Sequence, residues 1–227
     1  MPTITYEDPD QLARDGATYL AEQIAAAPGP RVSVGLAGGS TPAAVYRQLR
    51  EHDLDWGRVD FWLSDERWVP RNHSESNGNM AHANLIAAVA ARFLRPRWAP
   101  WLEPDESAAH YEAELRSLHP RDHAPDLVLL GMGDDGHTAS LFPDTKALEV
   151  EGRWFVGNEV PSLKTWRLTA TIPFLHRANQ LVFLISGASK AEMVARVANG
   201  DDLPTTRVAN GPAPTTFLID RAAAAKL

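Results

Sequence analysis

Short apolar runs and amphipathic stretches alternate along nearly the whole chain. Residues 127–130 are the plainest run, consecutive apolar side chains that halt at Gly131. A run of that length stopped by glycine predicts a buried strand. Strands are also expected over 32–36, 59–63 and 181–185. A period of two in Leu168, Ala170 and Ile172 predicts another over 167–172. Shorter strands are expected over 4–6, 154–156 and 216–219. Between the strands the spacing turns helical. Leu12, Gly16, Leu20 and Ile24 recur every fourth residue, so 9–27 reads as an amphipathic helix ended by Pro28, Gly29 and Pro30. Val45 and Leu49 mark the buried face of a helix capped by Ser40 or Thr41, with Pro42 at its first position. Met80, Leu85, Val89 and Phe93 predict a further helix. Asp105 is placed to cap one carrying Ala108, Tyr111, Leu115 and Leu118. Residues 96–104, with three prolines, read as irregular or as a short strand, and 173–179 as a short helix or turn. A helix is expected up to Ala198, and a short Ala-rich one capped by Asp220 follows the last strand.

Strands alternating with helices predict an α/β protein with a mostly parallel, doubly wound sheet and helices on both faces. No repeat or linker interrupts the pattern, so residues 1–227 are expected to form one domain. The chain has no cysteine, which excludes disulfides, thiolate metal sites and a cysteine nucleophile. Its formal net charge of −7 argues against broad nucleic-acid binding. An anion site must then be locally positive, built from a few cations and helix N-termini. The N-terminal residues lack the basic and apolar regions of a signal peptide, and 85–91 is too short to span a bilayer. A soluble, cytoplasmic protein with no membrane partner is expected.

Four loops that follow strands carry chemistry: GGST at 38–41, SDER at 64–67, GDDGH at 133–137 and SGASK at 186–190. Strand ends of a parallel sheet point one way, and ligands bind in the crevice there. Gly38, Gly39, Ser40 and Thr41 offer backbone N–H groups, two hydroxyls and a helix dipole to an anion. That dipole is worth about 0.3–1 kcal/mol for one charge. A well-capped helix explains this loop equally well. Gly131, Gly133 and Gly136 match the spacing of a dinucleotide fingerprint. Asp134 and Asp135 would repel a pyrophosphate there, and Pro143 curtails the helix that should receive it. Arg67 can pair Asp65 or Glu66, or its planar fork can hold an oxyanion. Lys190, in the first turn of a helix, opposes the dipole, which suggests an anionic ligand; a solvated lysine is the plain alternative.

Of eight histidines, His137 alone lies in a Gly-rich turn after a buried strand. Beside Asp135 it reads as a general base, since imidazole ordinarily titrates near neutrality. A structural histidine or a metal ligand are the alternatives, the latter without a second histidine at ligand spacing. No G-x-S-x-G occurs, so in a hydrolase water is the expected attacker.

LAGGSTP at 36–42, SDERWVP at 64–70 with Ser76 and Asn77 after it, and GMGDDGHTASLFP at 131–143 together resemble the 6-phosphogluconolactonase family. The resemblance extends to Arg167 in RLTATI, to VFLISGASKAEM at 182–193 and to the final TTFLID. It implies a sugar-phosphate isomerase-like (Rossmann-like) fold, related to glucosamine-6-phosphate deaminase and ribose-5-phosphate isomerase. It also implies hydrolysis of 6-phospho-D-glucono-1,5-lactone in the oxidative pentose phosphate route, with no metal, cofactor or covalent intermediate. His137 would deprotonate the attacking water and Asp135 would support it. Gly38, Gly39, Ser40, Thr41, Asp65, Arg67, Asn77, Arg167 and Lys190 would hold the small anionic phosphosugar lactone. A monomer or weak homodimer is expected. Trp166 and a short 157–165 depart from the family's pattern and bear on the shape of the lid over the substrate.

Two rivals share the fold. An amino-sugar-phosphate deaminase or aldose–ketose isomerase would be expected to carry tyrosine where Arg67 stands. A phosphosugar-sensing transcriptional regulator would need a DNA-binding segment and a basic patch, and neither is evident.

Overall fold

Runs that are apolar on every residue must be covered on both faces, and parallel strands are where such runs settle. The computed structural model describes residues 1–118 and 124–227. Its strands are β1 Thr3–Tyr6, β2 Val32–Leu36, β3 Val59–Leu63, β4 Asp65–Arg67, β5 Arg92–Phe93, β6 Leu127–Leu130, β7 Phe155–Val160, β8 Thr165–Ala170, β9 Leu181–Ile185 and β10 Thr215–Asp220. Its α-helices are α1 Pro9–Ala26, α2 Ser40–Leu49, α3 Asn77–Asn84, α4 Pro104–Leu118, α5 Ile172–Leu175, α6 Ala191–Ala198 and α7 Pro204–Ala209.

The main sheet has the order β1-β10-β9-β6-β2-β3-β5, and every pair in it is parallel. From β2 the chain runs to β3 and β5 on one side. From β6 it runs to β9 and β10 on the other. The order therefore reverses between β2 and β6, and the crevice of an open α/β sheet lies at such a point. Side chains alternate between two cores. Val128 and Leu130 face one with Phe183, Phe217 and Trp62; Leu127 and Leu129 face the other with Val34, Leu36 and Leu184. Each fully buried Leu, Val or Phe contributes about 1.5–3 kcal/mol.

A second sheet, β4-β8-β7, is antiparallel throughout. The sequence pattern hints at β7 and β8 but not at β4, because Asp65, Glu66 and Arg67 read as a polar loop. They form a strand because Ala170 donates to the Ser64 carbonyl and β4 pairs residue by residue with β8.

Other boundaries differ from expectation. The helix expected through Phe93 ends at Asn84; Leu85 leaves helical geometry at φ −135°, and Phe93 pairs with Phe61 in the sheet. Gly39, not Ser40 or Thr41, is the N-cap of α2. Helix α4 starts at Pro104, so Asp105 lies inside it and accepts a hydrogen bond from the Gly157 amide at 3.0 Å. The expected strand at 154–156 is the start of β7, and the one at 167–172 lies two residues earlier as β8. The short helix expected over 173–179 is α5, one residue earlier. Helix α7 was not foreseen at all. The C-terminal residues form turns rather than a helix, although Asp220 does accept from the Ala223 amide at 2.7 Å. Among the described residues no helix is long and apolar enough to cross a membrane.

Candidate active site

The loops after β2, β6 and β9, together with β4 and β8 of the small sheet, enclose a cleft of about 590 Å³. Gly38, Gly39, Ser40, Thr41, Asp65, Arg67, Asn77, Asp135, His137, Arg167 and Lys190 all line it. Every candidate residue named from the sequence is thus brought to one place.

The β6 loop is a tight turn closed on itself. Gly133 donates to the His137 carbonyl at 2.9 Å and Gly136 to the Gly133 carbonyl at 3.1 Å. A side chain at Gly133 would overlap the imidazole, so only glycine leaves the ring its position. The ring stacks on Phe142 at 4.0 Å between centroids. His137 Nδ1 lies 2.5 Å from Asp135 Oδ1, which also accepts from the His137 amide at 3.1 Å. Burial alone would raise the Asp135 carboxyl. The His137 amide and imidazole outweigh it and hold the carboxyl below its usual range. An ionised carboxylate can only accept, so Nδ1 is the donor of this pair, and in a neutral imidazole that arrangement puts the lone pair on Nε2.

Helix α7 fixes this turn from behind. The Thr205 amide and hydroxyl both donate to the Gly136 carbonyl, at 3.0 and 2.9 Å. Thr205 was missed by sequence reasoning, since nothing in its neighbourhood links it to residue 136.

On the other wall Arg67 and Arg167 are directly opposite in the β4–β8 register. Like charges there repel. Burial first, and then the Arg67 charge, lower the proton affinity of the Arg167 guanidinium. Arg67 does not pair its acidic neighbours. Its guanidinium donates to the Glu75 carbonyl at 2.5 Å, and Arg167 donates to Thr165 Oγ1 at 3.0 Å. Two guanidiniums without carboxylate partners among the described residues suit an anion.

The neighbouring acids are committed elsewhere. Asp65, buried, accepts from Ser140 Oγ at 2.7 Å and Asn77 Nδ2 at 3.1 Å. Glu66 takes the N-terminal amides of α3, Asn77 at 2.7 Å and Gly78 at 2.9 Å. Burial raises its carboxyl against those hydrogen bonds. Asn77 Oδ1 is buried against Gly38 with no partner among the described residues.

Gly39, at φ +108°, caps α2 without a side-chain hydrogen bond. The Ser40 and Thr41 amides are first-turn N–H groups with no partner inside the helix. Buried Tyr46 steadies the approach, its hydroxyl accepting from the Ala37 amide and donating to the Ala37 carbonyl, both at 2.9 Å. Asp220 does the same for the β9 loop, accepting from Ser186 Oγ at 2.5 Å and the Gly187 amide at 3.0 Å. Lys190 lies in a 3-10 turn just before α6 rather than in its first turn, and its Nζ donates to Asp134 Oδ1 at 2.6 Å. Among the described residues no three His, Asp or Glu side chains are grouped to hold a metal ion.

A parallel sheet whose switch point faces an imidazole–carboxylate pair and a cationic wall agrees with the sugar-phosphate isomerase-like α/β class that the sequence resemblance implied. Comparison with known proteins agrees. Residues 7–217 match the family model described as glucosamine-6-phosphate isomerases/6-phosphogluconolactonase. A 6-phosphogluconolactonase from Nostoc sp. is 37% identical over 87% of this chain and 85% of its own length. One from Rhizobium meliloti is 37% identical over 87% of this chain and 88% of its own. The crystal structure of a 6-phosphogluconolactonase from Shewanella baltica superposes with a TM-score of 0.88 at 26% identity, covering 97% of each chain. The chain belongs to the glucosamine-6-phosphate isomerase/6-phosphogluconolactonase family.

Proposed function

We propose that this chain hydrolyses 6-phospho-D-glucono-1,5-lactone to 6-phospho-D-gluconate, with His137 as general base and water as nucleophile. The observation that carries the reading is the placement of the Asp135–His137 pair across one cleft from Arg67, Arg167 and the open N-terminus of α2. Nε2 of His137 takes a proton as water adds to the lactone carbonyl carbon. The tetrahedral intermediate then collapses, the ring C–O bond breaks, and the imidazolium returns the proton to the departing ring oxygen. Asp135 keeps the ring in the required tautomer and offsets its transient positive charge. A positioned base supplies about 10²–10⁴-fold. The cationic wall and the α2 amides hold the phosphate and the other oxygens of the sugar. A lactone is an activated ester, so these groups suffice without a metal or a covalent step. On this reading residues 1–227 are one catalytic domain, cytoplasmic and acting as a monomer or weak homodimer.

The test is acid release in a pH-stat from freshly made lactone, corrected for spontaneous hydrolysis, run beside ammonia release from glucosamine 6-phosphate. Enzyme-dependent acid release without ammonia is expected. Ammonia without acid would replace this reading with the deaminase.

A further inference from the structure

The charges lining the cleft are balanced before any ligand arrives: Arg67, Arg167 and Lys190 against Asp65, Asp134 and Asp135. Two of the three carboxylates are engaged by uncharged donors or by the imidazole. Asp65 accepts from Ser140 and Asn77, and Asp135 from His137. Asp134 differs. Among the described residues its side chain has one hydrogen bond, from Lys190 Nζ at 2.6 Å. The Asp134 side chain is 74% exposed while that of Lys190 is 22% exposed. An ion pair so open to water adds little to stability, because solvent screens it and the long lysine side chain must be ordered. It does, however, occupy the one lysine of the cleft.

We propose that Asp134 is an exchangeable internal counter-ion that sets the anion selectivity of the cleft: its carboxylate holds Lys190 until a ligand phosphate or carboxylate displaces it. This rests on the reading of Lys190 as a ligand contact in the proposed function. The Lys190–Asp134 pair joins the β9 loop to the β6 loop, so displacement needs only a rotation of an exposed side chain. An uncharged sugar offers Lys190 nothing better than Asp134 and leaves the pair closed. A phosphate dianion does offer more, and binds at the cost of the pair. Hydrolysis then turns an uncharged ester into a carboxylate, so product carries one more negative charge than substrate. The displaced Asp134 carboxylate stays beside the cleft and repels product more than substrate. It therefore weakens binding of both and favours product release.

The test is Asp134→Asn, which keeps shape and removes charge. Inorganic phosphate and 6-phosphogluconate binding are measured by calorimetry, and KM, kcat and product inhibition by pH-stat. Both ligands should bind about two- to fivefold tighter, the range that a screened surface charge pair allows. KM should fall with little gain in kcat, and the product inhibition constant should fall further than KM. The gain should shrink as salt is raised and shrink again in a Lys190→Met background, where only the direct repulsion by Asp134 is left to remove. The melting temperature should stay put. Unchanged or weaker binding in Asp134→Asn, the same tightening without Lys190, or a large fall in melting temperature would each overturn the proposal. Phosphate binding is read without turnover. A wild-type protein that fails to hydrolyse the lactone would thus count against the lactonase reading, while the binding data still judge Asp134.

Discussion

His137 and Arg167 line the same cleft but are held there by different devices. The imidazole rides on a glycine-rich turn at the end of a buried parallel strand, and its partner Asp135 is two residues away. Arg167 stands on an antiparallel strand, and its neighbour Arg67 lies 100 residues earlier in the chain. The imidazole side is mostly local, its turn closed by its own hydrogen bonds and tied to α7 through Thr205. The cationic side exists only because β4 and β8 pair in one register. A turn places the imidazole, and sheet pairing places the guanidiniums.

The largest test of that division is on the base side. His137→Asn should lower turnover about 10²–10⁴-fold while 6-phosphogluconate affinity stays near wild type. Equal turnover in a pH-stat would remove His137 from the reaction, and a matching loss of affinity would blur the two sides into one. Next comes Arg167→Ala. It should weaken phosphosugar binding about 10- to 100-fold, as loss of charge-assisted hydrogen bonds does. The melting temperature should hold or rise, since a like charge opposite Arg67 is removed. Unfolding of this variant would show that the arginine pair serves the fold.

A smaller effect probes the shared scaffold. Tyr46→Phe leaves the buried Ala37 amide and carbonyl without their partner, which should cost about 1–3 kcal/mol in chemical denaturation. No loss would mean that the Ala37 hydrogen bonds are replaced. The smallest effect concerns Asp135. Its folded carboxyl titrates below the usual range, so the unfolded chain binds protons first as pH falls. Its stabilising contribution is present above roughly pH 4 and is lost as pH falls through the lower folded value. Asp135→Asn should therefore sit slightly below wild type in melting temperature at neutral pH, and the gap should close on acidification. The group is half exposed, so screening keeps this gap small. A gap that widened toward acid would reverse the assignment of the shift.

Much of the main sheet was legible because β6 and β9 are apolar on every residue and end at Gly131 and Ser186, and β2 and β3 are apolar at most positions. The helix expected through Phe93 failed for a physical reason. Phe93 continues a helical spacing, but backbone pairing of β5 with β3 takes it into the sheet. Asp65, Glu66 and Arg67 failed as a strand because nothing in three charged residues reports a partner in β8. Thr205 and α7 left no local trace, since their contact with Gly136 spans 69 residues.

By itself the sequence determined the parallel α/β plan, the glycine turn that seats His137, and the residue types gathered for an anion. Those are local matters, set by burial of apolar runs, by φ angles and by side-chain chemistry. Only the tertiary structure decided that Arg67 and Arg167 face each other, that Asp134 takes Lys190, and that α7 clamps the base loop. Each of those joins segments far apart in the chain. Pairing register and packing, which no window of residues contains, choose among the partners that such segments can have.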